Sequence, residues 1–222
     1  MDSRKNFYFE AMKIITILND IASENTYILV NQESVIVIDP GSNAKKILKT
    51  IQDEKKPVSA ILLTHTHYDH IMSLDLVRKT FENPPVYVSS KEASWLYSPK
   101  DNLSGHIRHN DIPDIITTPA ENLFQYQKDY HIGGFTFAVR ETPGHSIGGV
   151  SIIFNKEEVI FSGDALFKES IGRYDLPTGN YQQLIDSIKN QLFTLPNPFT
   201  VYPGHGQKTS IGHEKNMNPF LK

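Results

Sequence analysis

The sequence contains no cysteine, and this absence excludes disulfide bridges, zinc ribbons, thiolate metal clusters and cysteine nucleophiles. It also lacks any apolar run of about 18 residues, so no segment is predicted to span a bilayer as a helix. Residues 1–11 contain Arg4 and Lys5 but no apolar stretch after them, which argues against a secretory signal. We therefore expect a cytoplasmic protein with no membrane partner, and we treat residues 1–11 as a polar lead-in.

Positive charge is also scarce. Lysine and arginine number 22 against 25 aspartates and glutamates, which gives a formal net charge of −3. This balance argues against a nucleic-acid partner, because proteins that neutralise phosphates are usually basic. A chain of 222 residues can form a core without a disulfide or a structural metal. We predict one domain over residues 12–222.

Short runs of β-branched and aromatic residues alternate with segments of helical periodicity. This alternation predicts an α/β fold. The runs VIVIDPG (35–41) and EVIFSGD (158–164) resemble each other, and two β-then-α halves packed face to face would give four layers. Strands are predicted over 13–18, 26–30, 34–38, 60–63, 86–88, 135–142, 150–154, 159–162 and 199–202, and helices over 43–52, 74–81, 91–97 and 181–193.

Residues 98–128 interrupt this alternation. The segment is polar and contains Pro99, Pro113 and Pro119. A stretch of this length without regular elements is usually functional or flexible. We predict an irregular segment here, with the hypothesis that it acts as a lid over the functional site.

The densest group of chemically active side chains is THTHYDH (64–70), directly after the predicted strand 60–63. Imidazole is the most common metal ligand in proteins, and carboxylate is the natural partner for a borderline cation. A solvated polar loop is the alternative interpretation. The candidate ligands in this loop are His65, His67, Asp69 and His70.

Three further candidates follow later strands. His145 lies in TPGHS, Asp164 in FSGDA and His205 in YPGHG, and each directly follows a glycine. Taken singly, each could be an ordinary turn residue. Together they place a possible ligand after successive strands, at the sheet edge where open α/β sheets usually keep their sites.

The set HTHYDH, TPGHS, FSGDALF and YPGHG resembles the metallo-β-lactamase superfamily, in the right order and over residues 12–221. The resemblance implies a four-layer αβ/βα sandwich and two divalent metal ions, zinc before iron or manganese. It also implies a hydroxide between the ions that attacks the substrate, with Asp69 and Asp164 as catalytic residues. One ion would be held by His65, His67 and His145, the other by Asp69, His70 and His205, and Asp164 would bridge them.

The segment FSGDALFKESIGRYDLPTGN (161–180) is similar to the glyoxalase II-like hydrolases, especially their short bacterial members. This implies a small-molecule thioester substrate of the S-acylglutathione type, such as S-lactoylglutathione. Arg173 would bind a substrate carboxylate, although an ion pair with Asp175 is an equal alternative. Tyr174, which stands where the motif often has threonine, would donate a hydrogen bond to the substrate.

Other branches resemble the chain less. Class B1 and B2 β-lactamases carry a cysteine where Asp164 stands, and class B3 enzymes do not bridge with an aspartate there. Persulfide dioxygenases share the fold and are the main alternative, with a single iron held by the equivalents of His65, His145 and Asp164. A non-catalytic metal-binding module is a third interpretation.

Asp39, at a predicted strand end, either orients a ligand histidine or caps a turn.

Overall fold

A computed structural model describes residues 12–106 and 111–222. The lead-in 1–11 and positions 107–110 of the irregular segment lie outside the described residues. Within the described ranges, no helix is both long enough and apolar enough to cross a membrane.

The first half of the chain forms a six-stranded sheet whose strands follow sequence order. β1 to β3 pair antiparallel, and β3 to β6 pair parallel. Parallel neighbours need a crossover, which α1 (Ala44–Glu54) and α2 (Leu74–Thr80) provide. The strands are β1 Lys13–Leu18, β2 Asn25–Val30, β3 Val35–Ile38, β4 Val58–Leu62, β5 Val86–Val88 and β6 Asn122–Leu123.

The second half forms another six-stranded sheet, in the order β14-β13-β10-β9-β8-β7. Only β10 and β13 pair parallel, and α3 (Tyr181–Ser187) connects them before α4 (Ile211–Met217) ends the domain. A two-stranded ribbon of β11 (Leu166–Phe167) and β12 (Ser170–Ile171) follows β10. The sheet strands are β7 Asp129–Ile132, β8 Phe135–Glu141, β9 Val150–Phe154, β10 Val159–Gly163, β13 Thr200–Pro203 and β14 Thr209–Ser210.

Alternating side chains on the strands separate three apolar clusters. On β3, Val37 packs in the same cluster as Ile47 of α1 and Val77 of α2. The next residue, Ile38, packs in the cluster that contains Phe161 of the second sheet. This period of two is what a strand buried on both faces requires.

The second sheet repeats the arrangement. On β10, Phe161 faces the first sheet, whereas Ile160 packs with Leu184 and Ile188 in the cluster beneath the last helices. Each such buried side chain contributes roughly 1.5–3 kcal/mol. The layers are therefore helix, sheet, sheet and helix, which confirms the predicted αβ/βα sandwich in a single domain.

The two similar runs occupy equivalent places. β3 and β10 are each the strand at which a sheet changes from antiparallel to parallel pairing. Each is followed by an aspartate, Asp39 or Asp164, at the same type of strand end. The similarity between the runs 35–41 and 158–164 thus matches the equivalent positions of β3 and β10 in the two sheets.

The structure refines several predicted elements. Residues 91–97 form only a 3₁₀ turn, Ala93–Tyr97, and the helix predicted over 181–193 continues past Ser187 as a π-helical turn, Ile188–Leu192. Five strands of two to four residues lie outside the predicted ranges, namely β6, β7, β11, β12 and β14. Segments this short carry too few residues for a pattern, and their positions come from pairing with a neighbour, as in β7 with β8.

The described residues of the segment 98–128, which are 98–106 and 111–128, are irregular up to β6, as predicted. It is fastened to the preceding 3₁₀ turn by polar side chains. The Asn102 amide donates to the carbonyls of Trp95 (2.9 Å) and Ile115 (2.8 Å), and the Asn102 carbonyl accepts the Tyr68 N–H at 2.9 Å. The segment therefore packs directly against the THTHYDH loop.

Candidate metal centre

The loops that follow β4, β8, β10 and β13 meet at one edge of the sandwich. The β4 loop carries His65 and His67 and continues into a 3₁₀ turn, Tyr68–His70. The other three loops carry His145, Asp164 and His205. The structure brings all seven predicted ligand residues together, from parts of the chain up to 140 positions apart.

Three of these residues form what we call the histidine group, consisting of His65, His67 and His145. Their candidate ligand atoms lie within 4.8 Å of one another, and all three side chains are buried. His67 Nδ1 and His145 Nε2 are 2.9 Å apart. Two ring nitrogens at this separation must share a proton or a cation, because their lone pairs repel each other.

A second set, the mixed group, consists of Asp69, His70 and His205, again within 4.8 Å. Asp69 Oδ2 is 3.4 Å from His205 Nε2 and 3.8 Å from His70 Nε2. Asp69 and His70 are buried, whereas His205 keeps 23% of its side chain exposed. This group combines imidazole with carboxylate, the donor set of a borderline divalent cation.

Asp164 lies between the two groups. Its Oδ2 is 3.4 Å from His145 Nε2 and 3.3 Å from His205 Nε2, and its Oδ1 is 3.5 Å from His70 Nε2. A Cβ on Gly204 would lie 2.1 Å from Asp164 Oδ1, so only glycine fits there. One carboxylate can thus reach both groups.

Six buried side-chain polar atoms lack any hydrogen-bond partner among the described residues, and four of them belong to the candidate ligand residues. These four are His65 Nε2, His67 Nε2, His70 Nε2 and Asp164 Oδ1. Buried polar atoms are nearly always paired, so atoms that converge on one point without a partner are suited to a cation. The donor chemistry and the geometry therefore fit metal ions.

Hydrogen bonds on the far side of the rings fix their orientation. His145 Nδ1 lies 2.7 Å from the Arg173 carbonyl, and His205 Nδ1 lies 3.0 Å from the Ala22 carbonyl. Since a carbonyl only accepts, each Nδ1 must carry the proton. The Nε2 lone pairs are thereby directed at Asp164 and the centre.

Asp39 supports the mixed group from behind. Its Oδ2 accepts from the Thr64 hydroxyl at 2.6 Å and lies 3.0 Å from His70 Nδ1, while its Oδ1 accepts the Thr64 N–H at 2.8 Å. The structure thus favours orientation of a ligand histidine over a simple turn cap. Glu24, which no sequence pattern marks, is fully buried nearby with Oε1 3.7 Å from His70 Nδ1. Burial raises the Glu24 pKa.

The two groups differ in electrostatics. Burial and the neighbouring His145 lower the pKa of His67 to about 3, and burial lowers the pKa of His65 well below its usual range. Burial also disfavours the charged form of His70 and His205, but adjacent carboxylates outweigh it and raise their pKa values to about 10 and about 11. Without a cation, His65 and His67 are neutral at pH 7, whereas His70 and His205 are protonated.

A cavity of about 400 Å³ opens onto both groups. It exposes the carboxylates of Asp69 and Asp164 to any small molecule that enters. The ribbon β11–β12 contributes Phe167 and Ile171 to the wall, and Leu103 and Leu176 add further apolar surface. The cavity therefore combines a polar centre with apolar walls, which is typical of small-molecule sites.

The two predicted substrate contacts lie at different places. Arg173 lines the cavity, but its guanidinium donates two hydrogen bonds of 2.8 Å to Asp175, the alternative foreseen in the sequence. Tyr174 is not among the cavity-lining residues. Its ring packs against Tyr181 with centroids 4.9 Å apart, and it is 42% exposed.

Curated relatives cover almost the whole chain. A probable metallo-hydrolase from Streptococcus pyogenes is 59% identical over 97% of this chain and 93% of its own length. The hydroxyacylglutathione hydrolase GloC of Haemophilus influenzae is 31% identical over 86% of this chain and 89% of its own length.

Solved structures agree on the fold. The di-iron-bound form of TTHA1623 is 33% identical with a TM-score of 0.80, covering 93% of this chain and all of that one. ETHE1 from Myxococcus xanthus is 27% identical with a TM-score of 0.75, covering 94% and 84%.

A third structure carries a β-lactamase name. The B3 metallo-β-lactamase BLEG-1 is 42% identical with a TM-score of 0.89, covering 95% of this chain and all of that one. The structural likeness therefore includes a protein named for a class that the sequence motifs resemble less.

The family model for the metallo-β-lactamase superfamily matches residues 20–205. This range contains every member of the histidine group and the mixed group, together with Asp164. With a matching fold and relatives named as metallo-hydrolases, the chain belongs to the metallo-β-lactamase superfamily and is a metallo-hydrolase of that fold.

Proposed function

We propose that this chain is a binuclear metal-dependent hydrolase that cleaves thioesters of the S-acylglutathione type. The observation that carries the proposal is the position of Asp164, whose Oδ2 lies 3.4 Å from His145 Nε2 and 3.3 Å from His205 Nε2. A carboxylate placed between two complete donor sets suits two cations better than one.

The histidine group would hold the first ion and the mixed group the second, with Asp164 shared between them. The unpartnered His65 Nε2, His70 Nε2 and Asp164 Oδ1 supply donor atoms for this arrangement. When bound, two such ions supply a hydroxide at neutral pH and stabilise negative charge on a carbonyl oxygen. Zinc suits the donor set, and iron or manganese accept it as well.

Asp69 and Asp164 are the proposed catalytic carboxylates. Burial disfavours the ionised form of both, but the neighbouring histidines outweigh it and lower both pKa values, that of Asp164 strongly. Both therefore remain ionised at neutral pH and can accept hydrogen bonds from the attacking water. The overall reaction adds water across the thioester, giving a carboxylic acid and a free thiol.

The cavity walls suggest how a substrate would be oriented. The apolar side chains of Phe167, Ile171 and Leu176 can exclude bulk water from the acyl group. Arg173 would meet a carboxylate of the thiol carrier, which must compete with Asp175 for the guanidinium. Tyr174, outside the cavity lining, would contact the part of the carrier that extends beyond it.

The test is hydrolysis of S-lactoylglutathione under nitrogen by protein purified without chelator, with thiol release followed over time. The proposal expects turnover that needs no oxygen and that stops when the metal is stripped. GloC, named as a hydroxyacylglutathione hydrolase, supports this choice of substrate. Turnover of a β-lactam in place of the thioester would reassign the chain toward the B3 relative.

The second candidate is a mono-iron persulfide dioxygenase, with which the ETHE1 neighbour is compatible. Two histidines and one carboxylate suit iron, and His145 Nε2 lies 3.4 Å from Asp164 Oδ2. This candidate predicts one iron per chain, no thioester hydrolysis and oxygen uptake with glutathione persulfide. Protein that binds metal but turns over none of the three substrates would favour a non-catalytic module.

A further inference from the structure

A buried carboxylate outside the seven candidate ligands joins the two loops of the histidine group. Glu92 is completely buried. Its Oε2 accepts the Thr66 N–H at 2.8 Å and the Thr66 hydroxyl at 3.1 Å, and its Oε1 accepts the Gly148 N–H at 2.7 Å. Thr66 stands between His65 and His67, and Gly148 follows His145 by three positions. One side chain therefore connects both histidine-bearing loops.

Glu92 is itself held firmly by local structure. Its N–H donates to the Ser89 carbonyl at 3.1 Å, and its carbonyl accepts the Trp95 N–H at 2.9 Å, which opens the 3₁₀ turn Ala93–Tyr97. The Trp95 ring stacks on His67, with centroids 6.1 Å apart and planes at 22°. The start of this turn thus supports the histidine group in two ways: Glu92 bonds to the loop residues Thr66 and Gly148, and Trp95 stacks on His67.

Gly148 is shaped for this contact. A Cβ at this position would lie 2.8 Å from Glu92 Cγ and 2.9 Å from Ser89 Oγ. Gly148 is not among the glycines with left-handed φ angles, so space and not backbone conformation explains the glycine. The close approach lets the carboxylate reach the Gly148 N–H.

Burying a carboxylate is costly unless its oxygens accept hydrogen bonds. Here both oxygens do, and every donor belongs to a loop that carries candidate ligands. An apolar side chain could fill the same space without connecting the loops. The arrangement therefore points to a role in the spacing of the loops and not in core packing alone.

We propose that Glu92 is a positioning residue that sets the distance between the His65–His67 loop and the His145 loop, and so controls how tightly the histidine group binds its ion. The inference rests on the proposed use of this group as a metal site. Glu92 acts through Thr66 and Gly148 and touches neither the ion nor the substrate.

The main variant is Glu92→Gln, which keeps the shape but replaces one acceptor with an NH₂ group. That NH₂ group must face the N–H of either Thr66 or Gly148. Because an N–H donates and does not accept, the hydrogen bond to that N–H is lost. The matched control is Glu214→Gln on α4. Glu214 is equally buried and accepts from the Glu169 N–H at 2.9 Å, the Thr209 hydroxyl at 2.5 Å and the Asn218 amide at 2.8 Å.

The measurement is a zinc titration of chelator-stripped protein against a competing chelator, which gives ions per chain and a dissociation constant for each. For Glu92→Gln we expect one ion to bind about 10- to 100-fold more weakly, the usual effect of losing a residue that supports a ligand. The other ion, and both ions in Glu214→Gln, should bind as in the wild type.

Two results would overturn the inference. One is that Glu92→Gln binds both ions with wild-type affinity. The other is that Glu214→Gln weakens the same ion equally, which would reduce the effect to general destabilisation. If Glu92→Gln does not fold, Gly148→Ala takes its place, because it keeps the carboxylate but displaces it, and the same weakening is expected.

The outcome is separable from that of the proposed function. If the wild type binds a single ion, the binuclear proposal fails. The inference about Glu92 then stands if Glu92→Gln weakens that ion while Glu214→Gln does not, and it fails if both variants bind the ion equally well.

Discussion

The histidine group and the mixed group lie side by side at one edge of the sandwich, but the pKa values of His67 and His70 are shifted in opposite directions. The histidine group is buried, and burial lowers the pKa of His67 to about 3. In the mixed group, despite the same burial, carboxylates raise the pKa of His70 to about 10. A cation meets neutral rings at His65 and His67, whereas it must displace protons from His70 and His205.

The support behind the two groups differs in the same way. Asp39 lies 3.0 Å from the ring of His70 itself, so it affects both the orientation and the charge of a candidate ligand. The Glu92 carboxylate instead accepts from Thr66 and Gly148, which are not candidate ligands, so it affects the spacing of the loops. One edge of the fold thus holds two groups of different character, and the residues just behind the candidate ligands contribute to that difference.

The largest expected effect comes from the residue that the two groups share. Asp164→Asn keeps the shape but removes the charge that faces His145, His70 and His205. We expect kcat/KM on S-lactoylglutathione to fall by at least about 1,000-fold, since charge stabilisation at the reacting centre is lost. Asp186→Asn, on the exposed face of α3, is the control. Full activity and metal content in Asp164→Asn would contradict the bridging role.

The next change separates the groups. His67→Ala should remove the ion of the histidine group, and His205→Ala that of the mixed group, because each takes one of three candidate donors. Elemental analysis of each variant should give about one ion per chain. Two ions per chain in either variant would show that the removed ring is not a ligand.

Removal of the support behind His70 should have a smaller effect. Asp39→Asn removes the negative charge and replaces one acceptor oxygen with an NH₂ group. That group must face either the Thr64 N–H or the pair formed by His70 Nδ1 and the Thr64 hydroxyl. We expect the ion of the mixed group to bind about 10- to 100-fold more weakly, and the ion of the histidine group to be unchanged. Competitive zinc titration measures both, and it sharpens the contrast with Glu92→Gln.

The stability of the metal-free protein should depend on pH through His70. Its folded-state pKa of about 10 lies above the ordinary value of 6.5, so its contribution is complete below pH 6.5 and is lost as pH rises through 10. The lowered pKa of His67 acts oppositely and weakens the fold as pH falls from 6.5 towards 3.

Urea unfolding at pH 6.5 to 9.5 measures the alkaline part. The free energy of unfolding should fall over this range in the wild type and fall less steeply in His70→Asn. The control is His131→Asn, an exposed histidine on β7, which should keep the wild-type slope. If the free energy of unfolding of His70→Asn falls with pH as steeply as that of the wild type, His70 does not have the raised pKa assigned to it.

The smallest effect is expected at Arg173. Its guanidinium is already paired with Asp175, and its side chain is 53% exposed. Arg173→Ala should raise KM for a glutathione thioester about 2- to 5-fold with little change in kcat, as for an exposed ion pair. Asp175→Asn should lower KM, because it frees the guanidinium. Steady-state kinetics that show neither change would leave Arg173 a structural residue.

Sequence patterns predicted nine of the fourteen strands that the structure describes. The clearest are VIVI (35–38) and VSIIF (150–154), which are buried on both faces and read as continuous apolar runs. The candidate ligand residues were also predictable, since they follow predicted strands. Glu92 and Glu24 were not, because a single glutamate in a polar stretch shows its burial only after the chain has folded. The pairing of Arg173 with Asp175 was likewise left open, since spacing alone does not choose between a neighbour and a substrate.

The central claim is that two ions share Asp164. The most direct measurement is X-ray absorption on the zinc-loaded protein, combined with elemental analysis of the same sample. If two ions share Asp164, we expect two ions per chain and a metal–metal scattering contribution at about 3.5–4 Å, the separation of two-metal hydrolytic sites. One ion per chain, or two ions with no scattering between them, would contradict it.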